Sequence, residues 1–110
     1  MLVGKTLHHL FCALSAAKGM NENMTKHVPL SVLDLVSVSE GQTVRDAIDA
    51  SMETARLVDR LGYKRLWFAE HHNTAHLAAV ATSILISRAA AMTNRIRVGS
   101  GGVMLPNHAP

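Results

Sequence analysis

The segment that decides the fold is Arg97–Pro110, R-V-G-S-G-G-V-M-L-P-N-H-A-P, in which a short apolar strand runs into a glycine-rich turn. Upstream, Trp67–Asn73 reads W-F-A-E-H-H-N, a strand that ends in a glutamate, two histidines and an asparagine. Two strand ends with reactive side chains, separated by a helical stretch, are typical of an enzyme built from βα repeats. In such enzymes the active site lies at the carboxyl ends of parallel strands.

Hydrophobic periodicity around these two segments predicts the order β-α-β-α-β. The first helix is expected to run from a Thr43 cap, with Asp46 completing a capping box, to a left-handed Gly62. Its apolar face contains Val44, Ala47, Ile48, Ser51, Met52, Ala55, Val58 and Leu61, and charged residues that include Asp59 line the opposite face. The second helix is predicted over Ala78–Met92, and the strands over Leu30–Val36, Arg65–Ala69 and Ile96–Ser100.

The strands are expected to be parallel because their starts are roughly thirty residues apart, the length of a helical crossover unit. The pattern fits both a barrel and a doubly wound sheet. However, the turn after the first strand, Val36–Gln42, lacks the G-x-G-x-x-G fingerprint of dinucleotide-binding sheets. We therefore predict an α/β fold, the first β-α-β-α-β portion of an incomplete (β/α)8 TIM barrel.

Length and composition set the domain organisation. A (β/α)8 barrel needs roughly 250 residues, and this chain has 110. We expect an N-terminal extension over residues 1–27, with Met24 as the preferred start, followed by the N-terminal part of a barrel domain over residues 28–110. The composition, 48% apolar and 17% charged, is typical of a globular protein.

Several functional classes are disfavoured by the charge pattern. The net charge is +3, but the basic residues are scattered without interleaved aromatics, which argues against nucleic-acid binding. No apolar run approaches the length of a membrane span, so no membrane association is expected. The single cysteine, Cys12, excludes an internal disulfide and favours a cytoplasmic location.

The first candidate site is the Glu70–Asn73 segment. Histidine exchanges protons near neutral pH, and an adjacent carboxylate can orient an imidazole and favour its charged form. A solvated loop is the alternative interpretation, and the position at a strand end favours the functional one. Trp67 and Phe68 are expected to point to opposite faces of the strand and to belong mainly to the core.

The second candidate site is Ser100–Gly102, after the third strand. Consecutive glycines let the backbone approach a flat ligand closely, although a tight turn is the simpler interpretation. A metal site is a further alternative, because His72 and His76 have the spacing of zinc ligands on a helix. A metal-dependent barrel hydrolase using His71, His72 and His76 is therefore kept as a competing hypothesis.

The motifs together resemble those of a known family. F-A-E-H-H-N at Phe68–Asn73 and V-G-S-G-G-V-M-L-P-N-H at Val98–His108 are similar to motifs of the luciferase-like flavin-dependent monooxygenases. L-S-V-L-D-L at Leu30–Leu35 and S-E-G-Q-T at Ser39–Thr43 agree with the single-component luciferase family oxidoreductases of bacteria. The resemblance extends over about Leu30–Pro110.

This resemblance implies a barrel that uses reduced FMN to act on paired donors with incorporation or reduction of molecular oxygen. A barrel relative that uses a deazaflavin for hydride transfer without oxygen is the alternative. It implies that His71 acts near the reactive edge of the flavin as a hydrogen-bond donor or acid/base group. It also implies that Gly101 and Gly102 form a cis peptide against the isoalloxazine ring. The implied catalytic residues are His71 and His72, and the implied cofactor-binding residues are Glu70, Ser100, Gly101 and Gly102.

The expected partners are a small-molecule substrate, molecular oxygen and a separate flavin reductase, and full-length members are expected to be homo-oligomers. Later barrel segments hold the flavin phosphate in this family. The 110-residue chain is therefore expected to be inactive and poorly stable by itself, because its sheet edges are exposed. A non-catalytic gene fragment is the corresponding alternative.

Overall fold

The structure is a computed structural model that describes residues 28–109. The predicted extension over residues 1–27 and the Met24 start lie outside the described residues. Within them the chain forms strands and helices in alternation and ends in a short 3-10 turn. The elements are β1 (Ser31–Asp34), α1 (Val44–Arg60), β2 (Arg65–Phe68), α2 (Thr82–Met92), β3 (Arg97–Ser100) and the 3-10 turn Leu105–Asn107.

The strands form a parallel sheet in the order β1-β2-β3. Leu33, Trp67 and Gly99 are register partners and share one face of the sheet. The neighbouring positions Val32, Leu66 and Val98 share the other face and join the hydrophobic core with the helices. The predicted β-α-β-α-β order with parallel strands is confirmed.

Helix α1 begins as its sequence predicts. The Asp46 N–H donates to Thr43 Oγ1 at 3.2 Å, and the Thr43 N–H donates to Asp46 Oδ2 at 2.8 Å, which completes the capping box. After the helix, Gly62 has a φ of 81°, the left-handed conformation that glycine adopts without a steric penalty. The apolar face is narrower than predicted, because Val44 and Leu61 are 54% and 45% exposed.

The prediction that Asp59 lies on the solvent face of α1 is wrong. Asp59 is buried, and its carboxylate accepts the backbone N–H groups of Asn94, Arg95 and Ile96 at 2.8–3.0 Å. These amide donors, that of Asn94 first, hold the pKa of Asp59 below its ordinary value despite the opposing effect of burial. Asp59 therefore connects the end of α1 to the turn that leads into β3.

Helix α2 begins at Thr82, four positions after the predicted start at Ala78. The intervening backbone is used in tertiary hydrogen bonds. The Ala78 N–H donates to Val36 O at 2.9 Å, and Ala79 O accepts the His71 N–H at 2.8 Å. These bonds join the loop before α2 to the loops that follow β1 and β2, which is why the alanine-rich sequence is not helical there.

Alternate side chains of β2 face different layers. Phe68 is fully buried in the core, whereas Trp67 is partly buried on the opposite face. A Cβ atom at Gly99 would lie 2.8 Å from Trp67 Cζ3. The absence of a side chain at Gly99 is thus required by the indole ring beside it.

Candidate active site

The candidate site lies where the carboxyl ends of β2 and β3 meet. The Gly101 N–H donates to Phe68 O at 2.7 Å, and the Ala69 N–H donates to Asp34 O at 3.1 Å. These bonds continue the parallel ladder past the last strand residues. They place the segment beginning at Glu70 beside the segment that contains Gly101 and Gly102.

Glu70 is the centre of a buried hydrogen-bond cluster. Its Oε1 atom accepts the Nε2–H groups of His72 and His108, each at 2.7 Å. Its Oε2 atom accepts the Met104 N–H at 3.1 Å. The Glu70 side chain is 1% exposed, so both carboxylate oxygens are satisfied by protein groups from two different loops.

These contacts keep Glu70 ionised. The hydrogen bond from His72 lowers its pKa most, followed by the Met104 N–H and by the hydrogen bond and positive charge of His108, while burial acts in the opposite direction. The result is a pKa lowered from 4.5 to about 2. A negative charge therefore lies between the two imidazoles at neutral pH.

His71 and His72 are adjacent in sequence but differ in their environments. The backbone N–H of His71 is bonded to Ala79 O, and the residue is exposed. Among residues 28–109, the side-chain hydrogen bonds include none to the His71 ring. The structure therefore joins His72 to Glu70 and leaves His71 at the surface of the site.

The Gly101–Gly102 segment is open. The peptide bond between these residues is cis, as the resemblance implies. A Cβ atom at Gly101 would be 3.2 Å from Trp67 Cβ and 3.4 Å from Leu33 Cδ1, whereas one at Gly102 would meet no atom within 4 Å. A flat ligand can therefore reach the backbone at Gly102.

Ser100 belongs to a different face from its neighbour Gly101. It is the register partner of Phe68, which is fully buried. The Ser100 Oγ atom is buried and has no hydrogen-bond partner in the part of the chain that the structure describes. It is thus a polar atom beside Gly101 whose hydrogen-bonding capacity is unused.

The loop after β1 contacts the loop after β2. Val38 N–H donates to His76 O at 2.8 Å, and Ser37 forms an antiparallel bridge with Leu77. Val36 has a φ of 51°, which is rare for a β-branched residue, and its N–H is bonded to Asp34 Oδ1 at 2.8 Å. The loops after β1 and β2 are therefore joined by backbone hydrogen bonds.

The competing metal hypothesis requires His71, His72 and His76 to converge. Within residues 28–109, no group of three His, Cys, Asp or Glu side chains is placed to hold a metal ion. His72 instead uses its Nε2 atom to contact Glu70. The three histidines are not gathered around one point in the described part of the chain.

Sequence reasoning missed His108 as a member of the site. The one available signal was its position in the loop after β3, because loops that follow adjacent parallel strands emerge at the same edge of a sheet. The sequence could not show that His108 and His72 share one oxygen of Glu70. That contact joins residues separated by 38 positions.

A family model described as luciferase-like monooxygenase matches residues 28–110. This chain belongs to the luciferase-like monooxygenase family, as the motifs predicted. It is 49% identical over 85 residues to a luciferase-like monooxygenase of Escherichia coli K12. That match covers 77% of this chain and 25% of the relative, so the chain spans a quarter of the length of that protein.

Two solved structures are similar to the chain. Apo-MsnO8 is 52% identical, with a TM-score of 0.73, over 76% of this chain and 26% of that one. A type II Baeyer-Villiger monooxygenase in complex with FMN, the oxygenating constituent of 3,6-diketocamphane monooxygenase from the CAM plasmid of Pseudomonas putida, is 20% identical. Its TM-score is 0.63 over 74% of this chain and 22% of that one, a likeness of fold.

These matches confirm the predicted fold class, since the described β-α-β-α-β unit corresponds to about a quarter of each of these two structures. The predicted family is confirmed by the family model that matches residues 28–110. No helix among residues 28–109 is both long and apolar enough to cross a membrane.

Proposed function

We propose that this chain provides the β1–β3 part of the active site of a flavin-dependent monooxygenase that uses reduced FMN and molecular oxygen on a small-molecule substrate. The observation that carries the proposal is the juxtaposition at two adjacent strand ends. An ionised, buried Glu70 with two imidazoles lies beside the open backbone of Gly101 and Gly102. The remaining barrel strands would correspond to the part of the longer relatives that lies outside their match to this chain.

The residues present fit a flavin ring. Gly101 and Gly102 present backbone without side chains, and the adjacent Ser100 Oγ is a buried polar atom without a partner among the described residues. These three residues would hold the ring, and a solved structure of similar fold is a complex with FMN. When bound, reduced flavin supplies the reaction with molecular oxygen, and the protein supplies binding, orientation and exclusion of water.

The histidines would have separate tasks. His71 is exposed at the mouth of the site, where its ring can donate a hydrogen bond to the bound ligand or exchange a proton with it. His72 is held by the Glu70 carboxylate, whose Oε1 atom lies 2.7 Å from its Nε2 atom. His71→Ala should lower kcat by a factor of about 10²–10⁴, the usual contribution of an acid/base group. His76→Ala is the matched control and should leave kcat unchanged.

The proposal includes the partners and location that the family resemblance implies. A separate flavin reductase would supply reduced FMN, the complete enzyme would be a homo-oligomer, and the location would be cytoplasmic. Catalysis would require the barrel segments that the longer relatives possess. The 110-residue chain by itself would be inactive.

The test is flavin binding by the native polypeptide, whose intact mass is determined first in the source cells. Trp67, the one tryptophan of this sequence, lies against Gly101 and should be quenched when FMN binds. Gly102→Leu should weaken FMN binding at least about tenfold, because its side chain would occupy the open space that a flat ligand needs. Ala90→Leu, at an exposed position of α2, is the matched control.

Binding of FMN with substrate-dependent oxygen consumption would support the proposal. Binding of a deazaflavin in place of FMN would overturn the proposal that the reaction uses molecular oxygen. A native mass equal to that of the 110-residue chain, with no binding of either cofactor, would instead favour the non-catalytic alternative. Stoichiometric zinc in the purified protein would favour the hydrolase alternative.

A further inference from the structure

The Glu70 cluster connects the two halves of the candidate site. The Oε1 atom of Glu70 accepts hydrogen bonds from His72, in the loop after β2, and from His108, at the end of the loop after β3. The Oε2 atom accepts the backbone N–H of Met104, in the middle of the loop after β3. One buried side chain thus fixes the middle and the end of the segment that follows Gly101 and Gly102.

The hydrogen-bond chemistry sets the protonation pattern of the rings. An ionised carboxylate can only accept hydrogen bonds, so both imidazoles must donate through Nε2–H. In a neutral ring, Nδ1 is then unprotonated and carries a free electron pair. The His72 and His108 side chains are 29% and 43% exposed, so neither ring is sealed from a ligand in the site.

We propose that Glu70 and His108 are positioning residues of this site. The Glu70–His108 hydrogen bond holds the 101–108 segment against the end of β2. Glu70 also holds His72 in the Nε2–H tautomer, with Nδ1 ready to accept a proton. This inference deepens the proposed monooxygenase function and rests on it for the identity of the ligand.

The proton step is balanced within the cluster. The Nδ1 electron pair of His72 forms a bond to a proton from an acidic O–H or N–H group of the ligand, and the ligand heteroatom keeps the electrons of the broken bond. The resulting imidazolium remains paired with the Glu70 carboxylate, which stabilises its charge. Because the ring is partly exposed, the proton can then pass to solvent.

Substitution by glutamine distinguishes the role of His108 from that of His72. The side-chain amide of glutamine can donate from a position close to that of histidine Nε2, but it has no equivalent of a basic Nδ1. His108→Gln should therefore preserve the position of the 101–108 segment, whereas His108→Ala should not. His72→Gln should preserve the contact with Glu70 and remove the proton acceptor.

The first experiment measures histidine tautomers by ¹⁵N NMR in the native polypeptide labelled at histidine, without flavin. His72 and His108 should each show a single Nε2–H tautomer when neutral, while His71 and His76 should show averaged tautomers. In Glu70→Gln the preference of both rings for the Nε2–H tautomer should be lost. The NH2 group of the glutamine amide must face either the Met104 N–H or the two imidazole N–H groups, and it cannot accept a hydrogen bond from either. Averaged tautomers at His72 and His108 in the unmodified protein would overturn the proposal without any substitution.

The second experiment measures amide hydrogen exchange at Met104, whose N–H is bonded to Glu70 Oε2. His108→Ala should accelerate this exchange at least about tenfold, since a charge-assisted hydrogen bond that holds the segment is removed. His108→Gln should stay within about twofold of the unmodified protein, because the Nε2 donor is restored. His76→Ala is the control, and equal acceleration by His76→Ala and His108→Ala would contradict the positioning role.

Kinetics then separate this inference from the function on which it rests. In the flavin-loaded enzyme, His72→Gln should lower kcat and retain flavin affinity, whereas His108→Gln should recover most of the kcat and flavin affinity that His108→Ala loses. If the native protein binds no flavin but shows the expected tautomers and exchange, the positioning roles stand and the proposed function fails. If it binds flavin and turns over with averaged tautomers, the function stands and the positioning roles fail.

Discussion

At the scale of single residues, Glu70 shows how burial and charge are reconciled. A buried carboxylate is unfavourable unless hydrogen-bond donors surround it. Here the two imidazoles and the Met104 N–H supply those donors, and they lower the pKa of Glu70 to about 2. The negative charge of Glu70 stabilises the contact between the loops after β2 and β3. The stability of the fold and the geometry of the site therefore depend on the same side chain.

This lowered pKa predicts a specific acid sensitivity. The ordinary pKa of 4.5 applies to the unfolded chain, and the folded value is about 2. Between these values the unfolded state binds the proton more readily, so the contribution of Glu70 to the free energy of unfolding is complete above pH 4.5 and is lost as the pH falls through about 2. Urea unfolding at a series of pH values should show this slope.

Glu70→Gln should remove that part of the pH dependence, so the stability difference between the two proteins should narrow as the pH falls. The titratable side chains that face Glu70 are His72 and His108, and both remain in the variant. Glu40→Gln, in an exposed loop, is the matched control. Parallel pH profiles for the unmodified protein and Glu70→Gln would contradict the expected linkage.

Gly99 supports a second prediction at this scale. Because an added Cβ would lie 2.8 Å from Trp67 Cζ3 and 3.1 Å from Cε3, Gly99→Ala must displace the indole ring. We expect a loss of about 1–3 kcal/mol in the free energy of unfolding, the usual cost of overpacking. Urea unfolding followed by circular dichroism measures it.

Gly102→Ala is the control, since no atom lies within 4 Å of the added group, and its effect should stay within about 0.5 kcal/mol. Combining Gly99→Ala with Trp67→Leu should recover part of the loss, because the clashing ring atoms are removed. Additive losses in the double variant would show that the indole contact is not the cause.

At the scale of elements, helix α1 illustrates what local sequence predicts well. A threonine followed three positions later by an aspartate satisfies the first amide groups of a helix through side chains close in sequence. The structure contains both hydrogen bonds. Tertiary neighbours are not needed for this signal, so the start of α1 could be predicted from the sequence.

Thr43→Ala should therefore lower the free energy of unfolding by about 1 kcal/mol, the typical value of a helix cap. Thr54→Ala is a matched control within the same helix, because the Thr54 hydroxyl only donates to Ala50 O and alanine favours the helix interior. It should be neutral or slightly stabilising. Equal losses for the two variants in thermal unfolding would show that the cap makes no special contribution.

Helix α2 illustrates what local sequence predicts poorly. The alanine-rich run from Ala78 has a high helix propensity, yet the helix begins at Thr82. Thr82 itself donates its hydroxyl to Ala69 O at 3.0 Å. Hydrogen bonds from distant loops outweighed a propensity difference of a few tenths of a kcal/mol per residue, roughly the range of the helix scale.

At the scale of the whole molecule, the described sheet has uncovered surface. Among residues 28–109, β1 and β3 are each paired with a strand on one side only. Leu33 is 56% exposed on the face that it shares with Trp67. Such edges and apolar faces are sites of association unless further strands or another chain cover them.

The 110-residue chain expressed by itself should consequently form aggregates of mixed size, whereas a polypeptide of the length of its relatives should form a homo-oligomer of one defined size. Light scattering after size-exclusion chromatography, with binding of a hydrophobic dye, measures the difference. Leu33→Ser should reduce association because it removes exposed apolar area, and Ala90→Ser on the exposed side of α2 is the control. A monodisperse monomer that binds no dye would contradict the expectation.

The sequence by itself determined the order of elements, the cap of α1, the left-handed Gly62 and the two strand ends that carry the candidate site. These features depend on periodicity, capping and turn chemistry among residues close in the chain. Tertiary structure decided the burial of Asp59, the later start of α2, and the pairing of Glu70 with both His72 and His108. Each of these features includes a hydrogen bond between groups more than thirty positions apart, namely Arg95 to Asp59, Ala78 to Val36 and His108 to Glu70, whereas the bond from His72 to Glu70 spans two positions. Local sequence patterns do not indicate which distant donor bonds to a buried acceptor.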